Sequence, residues 1–242
     1  MFHLLCSFYE FERENILDFV LDAKAKNPTV VFTVAHSEAE PYQIERLMPY
    51  GLKIGTHHLN ATGTLQKYPE CRTPCVDETV LYNDSIYAEL ICDKVGIHVD
   101  PYILRLTKKI KGDDKIILIS DSTDSKGPIP KVGDYSEADD INFDFEGEIS
   151  GTKFTINKAC RNMMVHTGAS ICQVFKYAST NPARALGLTD RGVIKVGTRA
   201  DLLLAIKPFL KEEKRGKIDA VIKALTIATT VSKLKGGGET NV

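Results

Sequence analysis

The stretch NPTVVFTVAHS (27–37) decides the fold of this chain. Asn27 and Pro28 end a helix-like segment, because a proline cannot continue a helix. The β-branched run after them is typical of a strand that is buried on both faces of a parallel sheet. His36 and Ser37 follow this run directly, so the strand ends on side chains that can bind or react. A helix, a buried strand and a polar loop in this order predict an α/β fold with a parallel sheet.

The same unit recurs along the first half of the chain. Apolar runs predict five strands, at 2–8, 29–35, 52–56, 86–92 and 115–120. Helix-like segments at 11–27, 39–48 and 101–109 lie between them. The chain offers few hairpin signals between these runs, so the strands are predicted to be parallel.

The second half of the chain has a different character. Residues 123–150 are rich in Asp, Gly and Pro and predict a loop or short strands. Helices are predicted at 158–166 and 171–178, followed by a helical turn at 181–185. Beyond them, residues 190–204 predict two short strands around a glycine turn, and residues 235–242 predict a flexible tail.

The composition excludes several classes of protein. The 242 residues contain 31 Lys plus Arg and 32 Asp plus Glu, a net charge of −1 that argues against a general nucleic-acid binder. No uncharged apolar run approaches the roughly 18–20 residues of a membrane span. The six cysteines form no C-x-x-C pair, which favours free thiols in a reducing compartment. We therefore expect a cytoplasmic protein with neither nucleic-acid nor membrane partners.

Polar residues follow four successive predicted strands, and His36, His57, His98 and Asp121 are the candidates for chemistry. Each alone is better explained as a helix cap or as a structural side chain. Together they favour one shared site, because the carboxyl ends of barrel strands surround one mouth. Neutral imidazoles at neighbouring strand ends suit a divalent cation, and a nearby carboxylate can transfer a proton. The side chain of His58 should point away from that of His57 if the backbone is extended.

A series of motifs carries a family resemblance. In chain order these are VAHSEA (34–39), GTHHLNA (55–61), ICDKVGIHVDP (91–101), LISDS (118–122), GEISGTKFTINKACRNMMVHTG (147–168), YASTNPARALGL (177–188) and DRGVIKVGTRADLLL (190–204). From about Phe2 to Leu204 the chain resembles the N-acetylglucosamine-6-phosphate deacetylases, a family of the amidohydrolase superfamily. The last two motifs are common to the superfamily, whereas T-H-x-x-N-A, G-I-H-V and S-G-T-K-F-T are more specific to the deacetylases.

The resemblance implies a function and a role for each matching residue. The implied reaction is hydrolysis of the N-acetyl amide of N-acetylglucosamine 6-phosphate, with one divalent metal ion, Zn or Fe, as cofactor. The small sugar phosphate would be the partner, and a homodimer is a further implied possibility. The matching positions are His36 and His57 as metal ligands, Asn60 and Ala61 as contacts to the sugar phosphate, Arg72 as a phosphate contact across the dimer interface, His98 as the group that binds the substrate and polarises its carbonyl, and Asp121 as general acid and base.

The same resemblance implies an incomplete fold. The family carries a metal-ligand Glu in an L-E-G-P strand before the first metal histidine, and this chain has no L-E-G-P; Glu10 matches a later, non-ligand position. Five strands are predicted where a closed TIM-type (β/α)8 barrel has eight. We therefore expect an α/β chain whose residues 1–190 form only the second part of an amidohydrolase barrel. Residues 191–242 would form a C-terminal β segment, the remnant of a small β-sandwich, and the tail.

Two alternatives stay open at this point. The first is a non-catalytic remnant of such a deacetylase, which keeps the histidine pair and lacks the Glu ligand. The second is an amidohydrolase for another N-acyl sugar or for a cyclic amide. It is motivated by the segment around Arg72, where RTP stands in place of the family's R-E-P-G.

Overall fold

The computed structural model describes residues 4–7, 16–37, 39–60, 71, 73–131, 135 and 137–199. The chain divides into two units, Met1–Gly187 and Leu188–Val242. The predicted division into 1–190 and 191–242 stays a prediction, because most of the second segment lies outside the described residues. Among the described helices, none has both the length and the apolar character needed to cross a lipid bilayer.

A five-stranded parallel sheet is the framework of the first unit. Its strands are β1 (Leu4–Ser7), β2 (Phe32–Ala35), β3 (Leu52–Gly55), β4 (Tyr87–Ile91) and β5 (Ile116–Ile119). They lie side by side in chain order, and each pairs in parallel with the next. All four residues of β2 are buried, as a strand covered on both faces requires. The predicted parallel α/β sheet and its five strands, fewer than a closed barrel has, are confirmed.

Helices connect these strands and cover the sheet. They are α1 (Ile16–Lys26), α2 (Pro41–Glu45), α3 (Val76–Tyr82) and α4 (Pro101–Lys111), with a 3₁₀ turn at Met48–Tyr50. The start of α4 shows how the sequence sets a boundary: the Asp100 side chain accepts a hydrogen bond from the Tyr102 N–H at 2.7 Å, and Pro101 occupies the first turn. The predicted helix at 39–48 is shorter than expected: α2 begins at Pro41, in the first turn where proline is tolerated, and ends at Glu45, before the 3₁₀ turn that contains Pro49.

The predicted helices of the second half are confirmed as α5 (Ile156–Thr167) and α6 (Ile171–Phe175). A π-helical turn at Lys176–Thr180 joins α6 to α7 (Asn181–Ala185). The Asp- and Gly-rich segment contains an antiparallel hairpin of β6 (Ile141–Phe143) and β7 (Ile149–Thr152). Residues 191–199 form bends and turns, so the first of the two strands predicted after α7 is not formed there. The rest of that segment and the predicted tail lie outside the described residues.

Two apolar clusters hold helices against the sheet. The first packs α1, α2 and α3 on the early strands, through residues such as Val20, Ile44 and Val80. The second packs α4 and α5 on β4 and β5, through residues such as Leu104 and Met163. Both clusters pack against the faces of the sheet. The polar residues that follow the strands lie at the carboxyl ends of the strands.

The close approach of α3 to the end of β3 gives a testable prediction. A Cβ atom placed on Gly55 would lie 2.5 Å from Val80 Cγ2, much closer than atoms in a packed core approach. We expect Gly55→Ala to lower the free energy of unfolding by about 1–3 kcal/mol, measured by urea denaturation. Adding Val80→Ala should recover part of this loss, because the deleted methyl groups make room for the new one. Equal stability of Gly55→Ala and the parent chain would contradict the predicted clash.

Candidate active site

Three residues at the carboxyl edge of the sheet have left-handed backbone conformations. They are His36 (φ 45°) after β2, His57 (φ 34°) after β3 and Asp121 (φ 48°) after β5. Leu59 (φ 67°), in the turn that follows His57, is the fourth non-glycine residue with a positive φ in the described part of the chain. A non-glycine residue in this region costs of order 1–3 kcal/mol, and such residues cluster at functional sites. Strain at three strand ends of one sheet therefore marks this edge as the candidate active site.

The two histidines are in contact. Their ring centroids are 4.3 Å apart, with an interplanar angle of 63°. The Nδ1 atom of His57 lies 3.1 Å from the Asn60 carbonyl oxygen. Since a carbonyl oxygen only accepts, His57 Nδ1 carries the proton and Nε2 presents its lone pair. Burial, and then the nearby His36, lower the pKa of His57, which favours the neutral imidazole that binds metal ions.

The Asp121 backbone is held in place by the β6–β7 hairpin. The Thr152 N–H donates to the Asp121 carbonyl oxygen at 3.0 Å, and the Thr152 hydroxyl donates to the Ser120 carbonyl. Gly151 (φ 69°) passes so close that a Cβ on it would lie 2.3 Å from the Asp121 carbonyl oxygen. Only glycine fits this position. The hairpin thus fixes the turn that presents the Asp121 carboxylate.

Glu89 is a fourth ionisable group at this site, and the sequence interpretation missed it. It is a half-buried residue of β4. Burial, and then the Asp121 charge, raise its pKa to about 7, although a hydrogen bond from the His57 backbone opposes the rise. The available signal was a single carboxylate inside the apolar run IYAELIC (86–92). Glu89 therefore lies within electrostatic range of both His57 and Asp121.

His98 sits in a loop that is organised around one buried carboxylate. Asp93 accepts hydrogen bonds from the backbone N–H groups of Val95, Gly96, Ile97 and His98. Its Oδ2 also lies 3.2 Å from His98 Nδ1. The buried Nε2 of His98 has no hydrogen-bond partner among the described residues. The loop therefore fixes the ring by Nδ1 and leaves the buried Nε2 unpaired within the described residues.

The network around Asp93 predicts a pH-dependent stability. Burial alone would raise the pKa of Asp93, but the hydrogen bonds from His98, Ile97 and Gly96 outweigh it and lower the pKa to about 2. Because the ordinary value is near 3.9, the carboxylate stabilises the fold above about pH 4, and this contribution is lost as the pH falls toward 2. Asp93→Asn should cost about 2–3 kcal/mol at pH 7 and less at pH 3, measured by urea denaturation.

Asp124→Asn is the control for that measurement. Asp124 is exposed in the loop after β5. Removing its charge should change the free energy of unfolding by less than about 0.5 kcal/mol. A pH profile of Asp93→Asn that runs parallel to that of the parent chain would contradict the assigned role of Asp93.

His58 turns away from the site, as the alternation of side chains predicts. Its Nδ1 lies 3.0 Å from Asp77 Oδ1 on α3, and Asp77 also accepts a hydrogen bond from the Leu59 N–H at 2.9 Å. The adjacent histidines therefore face different surroundings: His57 contacts His36, whereas His58 anchors the turn to α3.

The structure brings together part of the predicted site. His36, His57 and Asp121 share one edge, Asn60 lies in the turn after His57, and His98 follows β4. Ala61, Arg72 and Glu10 lie outside the described residues. The roles of the seven predicted residues stay predictions, because the geometry gives the placement of five of them and the function of none.

The donor chemistry of the site fits a divalent metal ion. Neutral imidazoles with carboxylates nearby are the ligand types that Zn²⁺ and Fe²⁺ accept. Within the described ranges, however, no group of three or more His, Cys, Asp or Glu side chains is gathered closely enough to hold a metal ion. The contacting pair of His36 and His57 is therefore the part of a metal site that these residues supply.

Comparison with known proteins agrees with this geometry. The model of the amidohydrolase family matches residues 8–238, so the chain belongs to the amidohydrolase family. The family resemblance inferred from the motifs is confirmed.

Similar proteins carry a more specific name. The chain is 31% identical over 198 residues to an N-acetylglucosamine-6-phosphate deacetylase of Lysinibacillus sphaericus, covering 78% of this chain and 49% of that protein. It is 29% identical over 192 residues to the protein of the same name from Bacillus subtilis (strain 168), covering 77% and 47%. The crystal structure of the Thermotoga maritima N-acetylglucosamine-6-phosphate deacetylase superposes with a TM-score of 0.66 at 27% identity, covering 82% of this chain and 53% of that chain. The chain thus spans about half the length of the relatives it matches.

Proposed function

We propose that this site hydrolyses the N-acetyl amide of N-acetylglucosamine 6-phosphate to acetate and glucosamine 6-phosphate. The observation that carries the proposal is the set of three strained residues, His36, His57 and Asp121, at one edge of the parallel sheet. Membership of the amidohydrolase family and the names of the similar proteins support the reaction and the substrate class.

We infer that a divalent metal ion completes the site, since amidohydrolases generally use one. His36 and His57 would hold it through their imidazole nitrogens. A bound divalent cation lowers the pKa of a water molecule and polarises an amide carbonyl. Zinc and iron both suit these ligands.

The chain's own residues supply the proton transfers and the orientation of the substrate. Asp121 would accept a proton from the attacking water and return it to the departing amine nitrogen. His98, held at Nδ1 by the Asp93 carboxylate, would donate a hydrogen bond from Nε2 to a substrate oxygen as an imidazolium, because the neutral ring that donates from Nδ1 has only a lone pair at Nε2. Asn60 and the matching residues Ala61 and Arg72 would contact the sugar phosphate.

A second candidate function is sugar-phosphate binding without hydrolysis. It is favoured by the absence of a gathered three-ligand metal group within the described ranges. A site with two histidines and a more distant carboxylate should hold a metal ion weakly. Tight, stoichiometric metal binding would count against this candidate.

The test is an acetate-release assay on the purified chain with added Zn²⁺ or Fe²⁺. N-acetylglucosamine 6-phosphate is the principal substrate, with N-acetylgalactosamine 6-phosphate and unphosphorylated N-acetylglucosamine for comparison. We expect release from the phosphorylated sugars and much less from the unphosphorylated one. Failure of all three, beside an active full-length relative, would refute hydrolysis by this chain and leave the binding function to be tested by calorimetry.

We also infer a cytoplasmic location, because the described cysteines (Cys71, Cys75, Cys92, Cys160 and Cys172) are free thiols. The homodimer implied by the resemblance stays a prediction.

A further inference from the structure

The turn after β3, at residues 57–60, has four main-chain N–H groups that need acceptors, because a buried N–H without one is unfavourable. The Asn60 N–H donates to the His57 carbonyl oxygen at 2.9 Å, within the turn itself. The Leu59 N–H donates to Asp77 Oδ1 on α3 at 2.9 Å. The remaining two N–H groups belong to the adjacent histidines, and both of them are directed to β4.

Glu89 of β4 accepts both of these hydrogen bonds. The His58 N–H donates to the Glu89 main-chain carbonyl oxygen at 2.7 Å, a contact that every amino acid at position 89 could make. The His57 N–H donates to the Glu89 carboxylate. Within the described residues, no main-chain carbonyl accepts from the His57 N–H. This second bond therefore depends on the identity of the side chain at position 89.

Packing does not explain a carboxylate at this position of the strand. Side chains alternate along β4, so Glu89 lies on the same face of the sheet as Tyr87. On that face Tyr87 packs in an apolar cluster with residues such as Ile54 and Ile117. A charged group on a largely apolar face is unfavourable unless hydrogen bonds compensate for the lost water. The bond from the His57 N–H supplies such compensation and gives Glu89 a role.

His57 needs support from outside its own turn. Its φ of 34° is a strained conformation, which persists only where surrounding contacts fix it. The Glu89 carboxylate holds the N–H of His57, and the Asn60 carbonyl oxygen holds its ring through Nδ1. Held at both points, the ring lies against His36, with a distance of 4.3 Å between the centroids.

We propose that Glu89 is a positioning residue of the candidate active site, whose carboxylate holds the His57 N–H and thereby places the His57 imidazole against His36. The inference rests on the proposed function only in taking these two imidazoles as ligands of the metal ion. What the turn requires is an acceptor at the reach of a glutamate side chain, and not a negative charge.

Glu89→Gln and Glu89→Asp separate reach from charge. Glutamine keeps the length and an acceptor oxygen, whereas aspartate keeps the charge and is one methylene shorter. In the metal-free chain, Glu89→Asp should speed hydrogen exchange of the His57 amide by at least about tenfold and abolish the nuclear Overhauser contacts between the rings of His57 and His36. Glu89→Gln should keep those contacts and an exchange rate within about threefold of the parent chain.

The affinity for Zn²⁺, measured by competition with a chelator, connects this placement to the metal ion. It should fall by at least about tenfold in Glu89→Asp and stay within about threefold of the parent in Glu89→Gln. Glu45, an exposed residue at the end of α2, provides the matched controls. Glu45→Gln and Glu45→Asp should change neither the exchange of the His57 amide nor the affinity.

Exchange of the Ala88 amide, which donates to the Lys115 carbonyl oxygen at 2.9 Å, reports whether the sheet of each variant is folded. If Glu89→Asp unfolds, Glu89→Leu replaces it, because leucine suits the apolar face and offers no acceptor. The proposal is overturned if the variant without the acceptor keeps slow exchange at His57, or if Glu89→Gln loses it. It is also overturned if exchange at His57 accelerates while the ring contact with His36 persists. A parent chain that binds no Zn²⁺ would refute the proposed function, and the exchange and ring-contact measurements would still decide the role of Glu89.

Discussion

Asp121→Asn is expected to lower kcat for acetate release by roughly 10²–10⁴-fold, the usual contribution of a general acid and base. The substitution removes the proton-accepting carboxylate and keeps the size of the side chain. Asparagine also tolerates the left-handed backbone (φ 48°) that position 121 requires, so the turn should survive. The measurement is the steady-state rate of acetate release by parent and variant at equal metal loading.

Asp124→Asn is the matched control for this prediction. Asp124 is exposed in the same loop, and the same change of charge there should leave kcat within about twofold. Thermal unfolding of Asp121→Asn should match that of the parent chain, which separates a chemical effect from a structural one. If Asp121→Asn retains most of the activity, the proton transfer belongs to another group, and Glu89, which interacts electrostatically with Asp121, is the first candidate.

His57→Asn is expected to weaken the affinity for Zn²⁺ by at least about 100-fold and to abolish the metal-dependent activity. Losing a residue that only supports a metal ligand lowers metal affinity by roughly 10–100-fold, and losing the ligand itself should cost more. Asparagine again accommodates the backbone at φ 34° but removes the imidazole that contacts His36. Competition against a chromophoric chelator measures the affinity, and metal analysis after dialysis measures the stoichiometry.

The neighbouring histidine provides the control. His58→Gln removes an equally buried imidazole whose partner is Asp77 and not His36. It should lower the melting temperature and retain the parent affinity for Zn²⁺. Similar losses of metal in both variants would mean that the turn, and not the His57 nitrogen, determines binding.

The strands were predictable because their burial dictates their composition. The strand β2 is covered on both faces, and a strand in that position needs an apolar, β-branched sequence such as TVVFTVA (29–35). The short α3 was not predicted, since its buried face includes Asp77 and Thr79, which are satisfied by long-range contacts and a local cap. The exposed run Val193–Val196 shows the converse: apolar β-branched residues form no strand there, because β-propensity depends on a partner strand and a packed face.

The candidate site was predictable in its residue types and not in its geometry. The positions of His36, His57 and Asp121 at strand ends could be predicted from where each apolar run ends in the sequence. Their left-handed conformations depend on contacts distant in sequence, such as that between Thr152 and Asp121. Glu89 was missed because a carboxylate in a strand becomes informative only when neighbouring strands place His57 and Asp121 beside it.

The hydrogen bonds between β7 and the turn at Asp121 also have a consequence for folding during synthesis, because β7 is made after the five strands of the sheet. A nascent chain that has emerged as far as β6 already contains both histidines and Asp121. It still lacks Gly151 and Thr152, which hold the Asp121 carbonyl. During synthesis the sheet can therefore form before the turn at Asp121 is fixed.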